Sequence, residues 1–96
     1  MLPDEVILVE DYCQKYTIDQ TFVLSLEEYG LIELIVVEEQ KCIPFHQLQA
    51  IEKFSNLHYD LNVNLDGIDV INHLLQRIQA MQEEIRQLKS QLQTVQ

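Results

Sequence analysis

Carboxylates, histidines and cysteines are the side chains of this chain with chemistry to offer, and their spacing limits what they can do. Glu27 and Glu28 are adjacent, and neighbouring residues on a helix point about 100° apart, so they do not form an acid and base pair on one substrate. Asp69 and His73 stand four apart, a spacing that puts two metal ligands on one helix face. No third ligand accompanies them, and a zinc site needs at least three protein groups. His46 and His58 read as surface or packing residues. Cys13 and Cys42 are far apart with no other cysteine nearby, so they read as reduced, buried thiols of a cytoplasmic protein. Gly30 and Gly67 are the only glycines, which excludes a phosphate-cradling loop. No Ser-His-Asp or Cys-His set has a recognisable context. The expectation is a protein without catalytic site, cofactor or metal.

What remains is charge and pattern. The chain of 96 residues carries a net charge of −10, unevenly spread. Residues 1–44 hold ten acids against Lys15 and Lys41, whereas residues 45–96 hold six acids against four bases. Nucleic-acid affinity rests on cations that displace counterions, so the first half would repel a duplex. The same field attracts a basic protein surface. Nothing approaches eighteen uninterrupted apolar residues, the length that spans a bilayer, and the start, with Pro3, Asp4 and Glu5, shows no basic leader.

Several short elements must position these acids. Val6 to Val9 reads as a small strand or extended lead-in. Glu10 to Tyr16 reads as a first helix with acids in its first turn. Thr17 to Asp19 form a turn, and Asp19 is the expected N-cap of a second helix over Gln20 to Tyr29, which buries Phe22, Val23 and Leu26 and ends at Gly30. Leu31 to Val37 and Lys41 to Ile43 read as two strands joined by the polar turn Glu38-Glu39-Gln40, a hairpin wing. A third helix is expected from His46 to about Tyr59, with Leu48, Ile51, Phe54 and Leu57 facing in. After a loop over Asp60 to Asn64, Asn64 or Asp66 caps the last helix.

That last helix has its own pattern. Ile71, Leu74, Ile78, Met81, Ile85, Leu88, Leu92 and Val95 follow one another by alternating steps of three and four, a heptad seam with Gln, Glu, Arg and Lys between. The rest of the chain is too small to cover so long and narrow a seam, so the expected cover is a second copy. A parallel pair would place Glu84 opposite Lys89, and an antiparallel pair would place Arg77 opposite Glu84; the sequence is compatible with both. The domain limits expected are 1–64 for a winged domain and 65–96 for a dimerisation helix.

Ile18, the Glu27-Glu28-Tyr29-Gly30-Leu31 run and Phe45 with Leu48 after the hairpin resemble MerR-type winged helix-turn-helix domains, whose long dimerising helix pairs antiparallel. The segment from Leu57 to Ile68, read Leu-His-Tyr-Asp-Leu-Asn-Val-Asn-Leu-Asp-Gly-Ile, and Glu10-Asp11-Tyr12-Cys13 more closely resemble the chaperone modulator CbpM family. That resemblance implies a non-enzymatic protein that binds and inhibits the J-domain of a DnaJ-like, CbpA-type cochaperone. The DNA-binding pattern is departed from where cations are expected: Leu24 and Glu28 on the second helix and Ile43 on the wing. A recognition helix without cations has no guanine reader and no phosphate anchors. The acids of the second helix and wing either solubilise that face or meet a basic partner. For the second role Glu27, Glu28, Glu33 and Asp60 are the expected contacts, chosen by charge and placement. A MerR-like regulator that binds DNA is the alternative.

Overall fold

The computed structural model describes residues 5–95, with side chains as far as residue 93. Strand β1 (Val6–Leu8) leads directly into helix α1 (Val9–Tyr16), followed by α2 (Gln20–Glu28), β2 (Ile35–Val37), β3 (Gln40–Pro44), α3 (Leu48–Ser55) and the long α4 (Leu65–Val95). The expected winged helix-turn-helix layout with a long C-terminal helix is therefore present.

The wing is larger than a hairpin. β1 pairs antiparallel with β3, Ile7 opposite Ile43, and β3 pairs antiparallel with β2, Ile35 opposite Cys42, so the sheet has the order β1-β3-β2. The reversal between β2 and β3 uses Glu38 and Glu39, both at positive φ (52° and 67°) between the paired Val37 and Gln40. A two-residue turn of this sign matches strand twist but favours Asn-Gly, so two glutamates hold strained backbone there.

Three expectations need correction. The strand foreseen from Leu31 begins only at Ile35. Leu31 is committed elsewhere: its N–H donates to the Leu26 carbonyl and the Gly30 N–H to Glu27, closing α2 with Gly30 in the left-handed region (φ 74°). The third helix is not continuous from His46 to Tyr59. A 3₁₀ turn (Phe45–Gln47) precedes α3, and a π-helical turn (Asn56–Asp60) follows it. The Val63 N–H reaches back to the Leu57 carbonyl, and His58 Nδ1 lies 3.0 Å from the Val63 carbonyl, so the chain is drawn into the wider turn. Asp19 stands at the N-terminus of α2, but its side chain makes no capping bond; its backbone N–H donates to the Tyr59 hydroxyl at 3.1 Å.

For α4 the cap is Asn64, whose Oδ1 accepts the Gly67 N–H at 2.8 Å. Gly67 has no room for a side chain: a Cβ there would meet Val63 Cγ1 at 2.8 Å. The core joins Val9, Tyr12 and Cys13 of α1, Phe22, Val23 and Leu26 of α2, Ile32, Ile43, Ile51 and Phe54 of the middle of the chain, and Ile68 of α4. The first turn of α4 thus belongs to the packed head. Beyond it, the helix projects, and the molecule measures 57 × 35 × 20 Å.

Candidate functional site

The face that a winged helix-turn-helix scaffold offers to a ligand is built from α2 and the wing. Burial of Phe22, Val23 and Leu26 fixes which side of α2 looks out. Three bonds then hold the helix in place. At its start the Asp19 N–H donates to Tyr59; near its end Lys41 Nζ donates to Glu27 Oε1 at 2.8 Å; after it the Tyr29 hydroxyl donates to Asp66 Oδ1 at 2.8 Å. The acceptor Asp66 favours the neutral phenol, which raises the Tyr29 pKa; burial and the Asp66 and Asp69 charges add to this.

This geometry sorts the expected contacts. Glu27 is tied to the wing by Lys41, so its charge is matched within the chain. Glu28 and Glu33 are exposed, and the Glu33 backbone N–H donates to Gln47 Oε1, which fixes the loop that carries it. Asp60 is exposed too, but its neighbour Tyr59 touches the start of α2, whereas Glu28 sits at the end. Nine helical residues span about 13 Å, so Glu27 and Glu28 lie at the far end of α2 from the Tyr59 contact beside Asp60.

Of the positions that lack a cation, Leu24 is partly buried, Glu28 is exposed and Ile43 is fully buried. Ile43 faces the core, where no ligand reaches it, so the surface positions that lack a cation are those of α2 itself. Among the described residues α2 has no Lys or Arg, and the single cation on the two strands of the hairpin, Lys41, is paired with Glu27.

The α4 stripe is the second surface. Ile71 is half-buried, while Leu74, Ile78, Met81, Ile85, Leu88 and Leu92 are exposed, with Ile78, Ile85 and Leu88 at 48%, 52% and 53%. Val95, the last expected seam position, lies outside the residues whose side chains are described.

The remaining candidate side chains lie in local contacts or on the surface. His73 Nδ1 lies 2.8 Å from the Asp69 carbonyl and 3.5 Å from its carboxylate, an i, i+4 pair on an exposed face. Among the described residues no three His, Cys, Asp or Glu side chains converge as a metal site. His58 stacks on Phe22 at 4.6 Å, and His46 is exposed in the 3₁₀ turn. Cys13 and Cys42 are free and buried, and burial, with the Asp19 charge second, raises the Cys13 pKa. No helix among the described residues is long and apolar enough to cross a membrane.

One feature was not legible beforehand. Tyr12, Tyr16 and Tyr59 line a groove of about 360 Å³ between α1 and the α3 end. The i, i+4 spacing of Tyr12 and Tyr16 was visible in the sequence, but that Tyr59, in the π-helical turn, joins them was not.

No curated protein and no solved structure matches this chain. A family model, described as MerR HTH family regulatory protein, matches residues 7–90, a span from β1 to the last third of α4. That match covers most of the chain, so the chain belongs to the MerR HTH regulatory protein family.

Proposed function

We propose that this chain is a non-enzymatic, dimeric adaptor that uses the MerR scaffold to hold a basic protein partner, the J-domain of a DnaJ-like cochaperone, and thereby limits that domain's access to its chaperone. The observation that carries this reading is the chemistry of α2: no cation on the helix, and Glu27 consuming the hairpin's Lys41. Such a face opposes a phosphate backbone and suits a basic surface. The resemblance of the Leu57–Ile68 segment to the CbpM family supplies the partner class, since fold alone does not assign function. The exposed α4 stripe supports pairing with a second copy.

Because Glu27 is internally paired, Glu28 and Glu33 are the better charge contacts. Each exposed pair contributes about 0–1 kcal/mol, so these acids mainly accelerate encounter, and apolar neighbours such as Phe45, which is exposed, supply affinity. The test is calorimetry against the isolated J-domain of its own cell's DnaJ-like protein. Saturable binding is expected, weakening as salt rises. A Glu28→Lys, Glu33→Lys double variant should associate more slowly.

A second reading, a transcription regulator that binds DNA, is favoured by the family match itself. It is tested by a mobility-shift assay on random duplex near physiological salt. No shift at micromolar protein is expected; a shift there, with no J-domain binding, would replace the first reading with the second.

A further inference from the structure

The tyrosine groove lies beside the start of α2 and takes no lining residue from α2 or the wing. It is bounded by α1, by Thr17, which turns the chain at φ 56°, and by the π-helical turn. Tyr12 and Tyr16 lie with ring centroids 4.7 Å apart, and Tyr16 and Tyr59 are 55% and 41% exposed. Tyr59 is pinned by the Asp19 N–H, so its ring is held in place. Glu52 and Asp60 also line the groove, both exposed, and no Lys, Arg or His is among its described lining residues. Ser55 lines it as well, and its buried Oγ has no hydrogen-bond partner among the described residues.

We infer that this groove receives an arginine of a basic segment on a partner protein, with the guanidinium against the tyrosine rings and neighbouring basic residues against Glu52 and Asp60. Aromatic faces attract cations, and a guanidinium stacks on them while keeping its N–H groups free for carboxylates and hydroxyls. Tyr16 already has one cation near its ring, Lys15 Nζ at 5.5 Å from the centroid. Burial, with the charges of Tyr16 and Glu52 next in order, raises the Tyr12 pKa, so its phenol stays neutral and available to hydrogen-bond across the physiological range. A metal ion is a poor occupant, because Glu52 and Asp60 are the two carboxylates of the lining and no three His, Cys, Asp or Glu side chains converge among the described residues. An acidic or neutral segment would leave both carboxylates unmatched.

The inference does not depend on the partner being a J-domain, and its test uses a defined peptide. Labelled full-length protein is titrated with a short arginine- and lysine-containing peptide and followed by amide NMR shifts. The control replaces arginine by citrulline, which has the same shape and no charge. Saturable shifts are expected at Tyr12, Tyr16, Ser55 and Tyr59 with the arginine peptide and not with the control. Tyr16→Leu, Glu52→Gln and Asp60→Asn change exposed side chains and leave the core intact; each should weaken binding about threefold, and together they should remove it. Equal shifts with citrulline, shifts spread over α2 and the wing, unchanged affinity in the triple variant, or no saturable shift at millimolar peptide would each overturn it. Failure of J-domain binding with the arginine result intact would remove the proposed partner and leave this site.

Discussion

The head and the outer part of α4 use the same apolar residue types to opposite effect. In the head, Leu26, Ile51 and Ile68 are wholly buried, and the polar groups that fix α2 find partners within the chain. Along α4, Ile78, Met81, Ile85 and Leu88 are about half exposed, in a row with no facing element among the described residues. The head covers its apolar side chains within the chain, whereas an exposed apolar stripe of this length is the kind of surface that marks an interaction site. The contrast separates what holds the protein together from what it presents to others.

Breaking the stripe has the largest expected effect. Each seam side chain contributes about 1.5–3 kcal/mol on full burial, and a symmetric pair loses it twice. Ile85→Glu should therefore dissociate the dimer, seen by light scattering, while near-ultraviolet circular dichroism of the head is unchanged. Loss of the head signal in that variant would show that the two regions fold as one. The converse experiment is Phe54→Ala, at a residue 2% exposed, which should destabilise the head by about 3–5 kcal/mol in chemical denaturation and leave α4 helical where it is paired.

Gly67 lies where the two regions join. Gly67→Ala drives a methyl into Val63, and after the gain in helix propensity it should cost about 1–2 kcal/mol. Adding Val63→Ala should return part of that, which distinguishes a clash from a general loss of helix. On the wing the sign reverses: Glu39→Gly relieves a positive-φ glutamate and should stabilise the head by about 0.5–1 kcal/mol, readable as a higher denaturation midpoint.

These experiments also mark where the sequence was readable and where it was not. Phe22, Val23, Leu26, Ile51 and Phe54 were legible as core because their helical spacing leaves one face to bury. Gly30 was legible as a helix end, because its left-handed φ is the ordinary requirement of that cap. β1 was legible as a short strand or extended lead-in, but its pairing with β3 was not, because that partner lies far along the chain. Nor was the π-helical turn, which accompanies backbone and ring contacts of Leu57 and His58 with Val63, five or six residues on, and has no single-residue signature. The acids of the candidate face were visible by type, but their pairing was not. Glu27 and Glu28 look equivalent in sequence, and only the register of the wing assigns Lys41 to one of them.

The smallest effect concerns pH. The folded state raises the pKa of Cys13 and Tyr12, chiefly by burial, so it retains protons that the unfolded chain releases. Their contribution is fully present below the ordinary thiol and phenol values and is lost as pH rises through the folded ones. Head stability should be level up to about pH 9 and decline above it, with Cys13→Ala flattening the first part of that decline.

Closure of the exposed α4 stripe by a second copy of the chain is the central expectation. Sedimentation equilibrium of the wild-type protein at micromolar concentration tests this most directly. The account predicts a mass of about 22.6 kDa, twice the 11.3 kDa of one chain. A single species at 11.3 kDa with α4 helical would contradict it.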